Sequence, residues 1–172
     1  MKSDSISIDN QGSGFEAALS QTEAAAKFRG LNDREALRLR ILTEELLGMV
    51  KSITGQMAGT FWIDSEERAF TLHLSTKTKM DALKRYQFIS TSTENRNEAA
   101  RGFLGFLRDR FETAMMAEEN LVCYDSQASA RPETVGEEEW DRYERSILRR
   151  LSDGIRISVR GGQVEMEVQK KF

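Results

Sequence analysis

Residues 42–55 read LTEELLGMVKSITG. With the residues before it, it sets Leu39, Leu42, Leu46, Met49 and Ile53 at spacings of three and four. At about 100° per residue these five side chains share one stripe, which predicts a long helix buried along that stripe. Asn32 or Asp33 supplies its N-cap, and Gly55 ends it. Glu44 and Glu45 sit among these apolar residues, either as part of a functional motif or as the solvated margin of a packed helix.

Before that helix, Phe15 to Arg29 is rich in Ala and free of Pro and reads as a helix broken by GLND, with a short strand, SISI at Ser5 to Ile8, ahead of it. After Gly55, TFWID, SEER and AFTLHLST read as two antiparallel strands joined by a tight polar turn. Phe61 and Ile63 share one face of the first strand. Phe70, Leu72 and Leu74 alternate with Thr71 and His73 on the second, which puts His73 on the wetter face. The chain closes with IRISVRGGQVEMEVQ, residues 155–169, a predicted hairpin in which Ile155, Ile157 and Val159 face Val164, Met166 and Val168 across a Gly-Gly turn.

Between these elements, Lys77 to Asn97 is polar around the short apolar piece ALKRYQFI, and is expected to be a loop or lid rather than framework. Ala100, Phe103, Leu107, Phe111, Ala114 and Met115 recur at helical spacing. The acidic stretch YDSQASARPETVGEEE, with the only proline, predicts a mobile insertion at about 124–138. Trp140, Tyr143, Ile147 and Leu151 define a last amphipathic helix ending near Gly154. The order predicts an α+β fold: a two-layer α/β sandwich, its sheet mixed but mostly antiparallel, with helices on one face.

The chain has 172 residues, 39% of them hydrophobic, enough for one domain with a real core. Its 25 basic and 28 acidic residues are closely mixed and sum to −3. That balance argues against a nucleic-acid groove or a polybasic membrane patch. The single cysteine, Cys123, excludes an internal disulfide and a CxxC metal site, and the single histidine, His73, excludes a double-His zinc motif. Neither has the motif context of a Cys-His dyad. The polar start and the lack of a long apolar run predict a cytoplasmic protein.

The element order, with Thr43-Glu44 on the second helix, resembles the Bergerat-type ATP-binding fold of histidine kinases, gyrase-type ATPases and, most closely, the anti-sigma-factor serine kinases. The resemblance spans most of the chain, Ile6 to Phe172, and implies a single histidine-kinase-like ATPase domain over 1–172, in which the loop and helix from Asp125 to Leu151 have no clear counterpart in the small anti-sigma kinases. In that family a Ser/Thr-Glu pair is followed after three residues by Asn-Ala. The Glu activates water, and the Asn oxygen holds the magnesium that bridges the phosphates. Here Thr43-Glu44 matches the first half, but Gly48 stands where Asn belongs and has no side-chain oxygen to offer a hard cation. The resemblance therefore implies Glu44 as the catalytic carboxylate and Gly48 as a degenerate metal position.

Two further family elements have weaker counterparts. The glycine-rich segment that meets the phosphates resembles ARGFLGFLRDRFE through Gly102 and Gly105, which are equally read as small residues allowing close helix packing. The Asp-x-Gly-x-Gly box that receives adenine is replaced by a glycine-free stretch in which Ser75, Thr76 and Asp81 are the candidate base contacts. ATP and magnesium are the implied cofactors. The implied partner is a regulatory protein such as a sigma factor or an anti-sigma antagonist, with a homodimer also among the readings. The leading expectation is a regulatory protein with weak or lost ATP binding and phosphotransfer. An active serine/threonine kinase and an interaction module without a nucleotide site are the alternatives.

Overall fold

The computed structural model describes residues 1–9, 13–55, 58–124 and 147–172, with only the backbone described for 117–124. The predicted insertion at about 124–138 and the Trp140 and Tyr143 part of the last helix fall outside the described residues, as does the side chain of Cys123. Five strands, β1 (Ile6–Asp9), β2 (Ala58–Glu66), β3 (Ala69–Lys77), β4 (Gly154–Arg160) and β5 (Gln163–Lys171), form one sheet in the order β1-β2-β3-β5-β4. Every pairing between these strands is antiparallel. The mixed component expected from sequence is reduced to one isolated parallel bridge, Asn97 to Ile157.

Alternation sets the faces of this sheet. Phe61 and Ile63 on β2, Phe70, Leu72 and Leu74 on β3, Ile157 and Val159 on β4, and Val164, Met166 and Val168 on β5 are all buried. Their neighbours Trp62, Thr71, His73, Ser158 and Gln169 are half-buried on the other face. In the closing hairpin, Ile157 pairs with Met166 and Val159 with Val164, the register read from sequence. The β2–β3 turn is tight because Glu67 takes the left-handed conformation, φ 49°.

Helix α1 (Phe15–Phe28) and helix α2 (Asp33–Thr54) pack on each other, and α1 also meets β2. The apolar stripe of α2 joins the buried sheet face in one core: Leu39, Leu42, Leu46, Met49 and Ile53 are all buried. Asn32 caps α2 through a reciprocal box. Its side chain accepts from the Glu35 N–H, and its own N–H donates to the Glu35 carboxylate. That bond, with the Arg68 guanidinium beside it, holds the Glu35 carboxyl below its ordinary pKa.

Helix α3 (Ala82–Thr91), a 3-10 turn at Glu98–Ala100 and helix α4 (Phe103–Tyr124) follow β3, and residues 147–151 are helical just before β4. Within Lys77 to Asn97, expected as loop or lid, residues 82–91 form helix α3 and the irregular stretches on either side are loop. Phe88 of α3 is fully buried, and the segment after α3 is bonded to the outer edge of β4. Thr93 exchanges backbone and hydroxyl bonds with Ile155 at 3.0 and 2.8 Å, and the Asn97 side chain pairs with Val159. These polar residues satisfy an edge strand that would otherwise present unpaired amides and carbonyls.

Candidate functional site

Thr43, the first residue of the Thr-Glu pair, is buried at the seam of α1 and α2. Its hydroxyl donates to the Leu39 carbonyl at 3.2 Å and lies 3.1 Å from the Thr22 hydroxyl. One residue on, about 100° around the helix, Glu44 is exposed, and among the described residues it forms no hydrogen bond or ion pair. Gly48, four residues later, shares the Glu44 face and is half-buried. This arrangement offers one free carboxylate and no second oxygen from position 48.

The other candidates divide between different parts of the fold. Asp81 is exposed and caps α3, one carboxylate oxygen accepting from the Lys84 N–H at 2.8 Å while the other lies 3.8 Å from Lys84 Nζ. Gly102 takes φ 83° immediately before α4, and its carbonyl accepts the first helical bond, from the Phe106 N–H at 2.9 Å. A Cβ on Gly105 would lie 2.6 Å from the Ala99 carbonyl oxygen, so this glycine lets α4 close on the 3-10 turn. The close-packing role of Gly105 is thus realised against that turn.

Ser75 departs from the expected grouping. It points to the solvated sheet face, where its hydroxyl accepts from Gln163 Nε2 at 2.7 Å beside a shallow groove of about 290 Å³ shared with Ser7, Thr60 and Lys77. The reason is strand alternation: Thr76, its neighbour, takes the inward position and bonds the Ala58 carbonyl. The sheet therefore separates Ser75 from Glu44, and the two do not belong to one site. Gly48 brings no side-chain oxygen for a magnesium ion, and the candidate base contacts Asp81 and Ser75 lie apart, one capping α3 and the other on the far face of the sheet. Among the described residues there is also no cluster of three or more His, Cys, Asp or Glu arranged to hold a metal ion.

Sequence reasoning missed a polar relay between α3 and α4. Arg85, only 5% exposed, donates to Asp109, and its Nη1 lies 3.8 Å from the Glu112 carboxylate without a hydrogen-bond partner. Asn97 Nδ2 donates both to Asp109 and to the Val159 carbonyl, while the Gly161 N–H donates to Glu112 at 3.1 Å. The available signal was the i, i+3 spacing of Asp109 and Glu112 opposite the apolar residues of α4. Those apolar residues, Phe103, Leu104, Leu107, Phe111 and Met115, are exposed, so the helix turns its polar face to the body and its apolar face to solvent.

On the open sheet face, Trp62 and His73 stack with ring centroids 4.8 Å apart, and His73 Nε2 lies 3.0 Å from the Asp64 carboxylate. No helix among the described residues is long and apolar enough to cross a membrane. The class defined at this level is an α+β protein with a five-stranded antiparallel sheet and helices. Compared with known proteins, the chain matches no protein-family model and no curated protein sequence.

Proposed function

We propose that the chain is a cytoplasmic regulatory protein with the histidine-kinase-like ATPase fold, of the anti-sigma-factor type, that acts by binding a protein partner. ATP binding and phosphotransfer are weak or lost. The observation that carries this reading is the Glu44–Gly48 face of α2: an exposed, unengaged carboxylate at the family position with no oxygen one turn later. A glycine there removes the ligand that would clamp magnesium to the phosphates. The outward apolar face of α4 supports a binding role, since a row of exposed Phe and Leu side chains is costly to leave in water.

Thermal melting with and without ATP and magnesium tests the nucleotide part of this reading. A ligand at 100 times its dissociation constant adds about 2.7 kcal/mol, so a small or absent shift at millimolar ATP fits the proposal. Magnesium-dependent phosphate transfer from ATP to a co-purified protein would replace it with an active serine/threonine kinase. The exposed Glu44, with no partner among the described residues, favours that second reading, because a general base must be unengaged to accept a proton.

A further inference from the structure

The geometry points to the apolar face of α4 as the docking surface for an acidic amphipathic helix of another protein. This inference rests on the partner-binding reading above and names its surface. Helix α4 is inverted relative to an ordinary surface helix. At about 100° per residue, Gly105, Asp109 and Glu112 cluster on one side, and Phe103, Leu104, Leu107, Phe111 and Ala114 cluster on the opposite side. The first side touches the body: Gly105 meets Ala99, Asp109 takes bonds from Arg85 and Asn97, and Glu112 accepts the Gly161 N–H. The second side is exposed, Phe103 by 76% and Leu104 by 79%.

The anchors Phe103, Leu107, Phe111 and Met115 recur every four residues over about 18 Å, the spacing by which one helix seats against another. Charge selects the partner. Arg108 and Arg110 flank the stripe on its two sides and are both exposed, Arg108 within 3.5 Å of Glu112 and Arg110 over the Phe106 ring. A partner with carboxylates along its rims meets both arginines. A second copy of the chain does so poorly. The midpoint of the stripe is residue 109, so a two-fold antiparallel crossing would bring the Arg108 and Arg110 of each copy against those of the other. An anionic lipid surface gains only about 1 kcal/mol from each of two arginines, and it offers no apolar seam spaced to the four-residue recurrence of the anchors.

The test uses the full chain and two labelled synthetic helical peptides with the same leucine seam, one rimmed by Glu and one by Lys. Fluorescence anisotropy is expected to show the Glu-rimmed peptide binding about tenfold tighter than its twin and weakening with salt. Leu107→Glu with Phe111→Glu should abolish binding, and both sites are exposed, so circular dichroism should remain that of the unaltered chain. Arg108→Glu with Arg110→Glu should reverse the peptide preference. Absence of binding, equal binding of the two peptides, or indifference to the Leu107 and Phe111 changes would overturn the inference. So would a mass that doubles with concentration through this face, binding to phosphatidylserine vesicles in place of the Glu-rimmed peptide, or carbene labelling of Phe111 as slow as that of buried Phe61, which would mean that the chain covers the stripe itself. The peptide result is independent of nucleotide-dependent melting, so failure here leaves the regulatory ATPase-type reading to stand or fall on its own measurement.

Discussion

Asn97 and Val159 exchange two hydrogen bonds at the edge of the sheet: the Val159 N–H donates to Asn97 Oδ1 at 2.8 Å, and Asn97 Nδ2 donates to the Val159 carbonyl at 2.9 Å. One amide side chain thereby does for β4 what a neighbouring strand would do. Asn97→Ala would leave both Val159 groups without this partner in a buried setting, and unsatisfied groups of this kind cost about 1–3 kcal/mol. Urea denaturation should show a loss in that range, and a loss near zero would mean that water replaces the side chain.

Leu46 lies fully buried on the α2 stripe, whereas Glu44, two residues earlier, is exposed. Leu46→Ala should cost about 2–5 kcal/mol through lost burial and the cavity left behind. Glu44→Ala should stay within about 0.5 kcal/mol. Equal losses in chemical denaturation would contradict an α2 rotated with Leu46 inward and Glu44 outward.

Arg85 ties α3 to α4 through Asp109 and lies close to Glu112. Removing the guanidinium in Arg85→Ala leaves two carboxylates facing a void, a change that is strongly destabilising where burial is this deep. The loss should concentrate on α4, because few apolar side chains hold its inner face. Amide exchange is expected to accelerate across residues 103–116 while β3 and β5 stay protected. Uniform acceleration across the sheet would contradict a local latch.

Asp153 accepts bonds from Lys170 Nζ at 2.8 Å and the Lys171 N–H at 2.7 Å. Burial pushes its carboxyl up, but these bonds and the Lys170 charge outweigh it and hold the pKa below the ordinary value of 3.8. A lowered folded-state pKa contributes stability that is present above 3.8 and is lost as pH falls through the lower folded value. Asp153→Asn should therefore reduce stability at neutral pH and flatten its decline below about pH 4. Melting curves across that range check the sign, and an unchanged acid limb would remove Asp153 from acid unfolding.

Where side-chain periodicity reports burial, the sequence was legible. The five α2 positions, the alternating faces of β2 and β3 and the pairing of Ile157 with Met166 all follow from periods of 3.6 or 2. The Lys77–Asn97 region was misread in part, because its Thr, Ser and Asn residues look like solvated loop. Thr93 and Asn97 instead bond the backbone of β4, and sequence period carries no sign of that. The α4 stripe was visible as helical spacing, yet spacing does not say which face meets the body. Among the candidate site residues, Glu44 and Gly48 share one helical face as their spacing requires. Of the neighbouring candidates Ser75 and Thr76, strand alternation lets only Thr76 face inward, and its hydroxyl is taken by the Ala58 carbonyl.

If α2 carries a histidine-kinase-like motif disabled at its metal position, as proposed, Gly48→Asn restores the missing side-chain oxygen. Asn is tolerated in a helix about as well as Gly or better, so the variant should fold, which circular dichroism checks. Thermal melting with ATP should then show a magnesium-dependent stabilisation of the variant that exceeds that of the unaltered chain, with the gain lost when Glu44→Gln is added. A folded Gly48→Asn variant whose melting responds to ATP and magnesium no more than the unaltered chain does would contradict the claim.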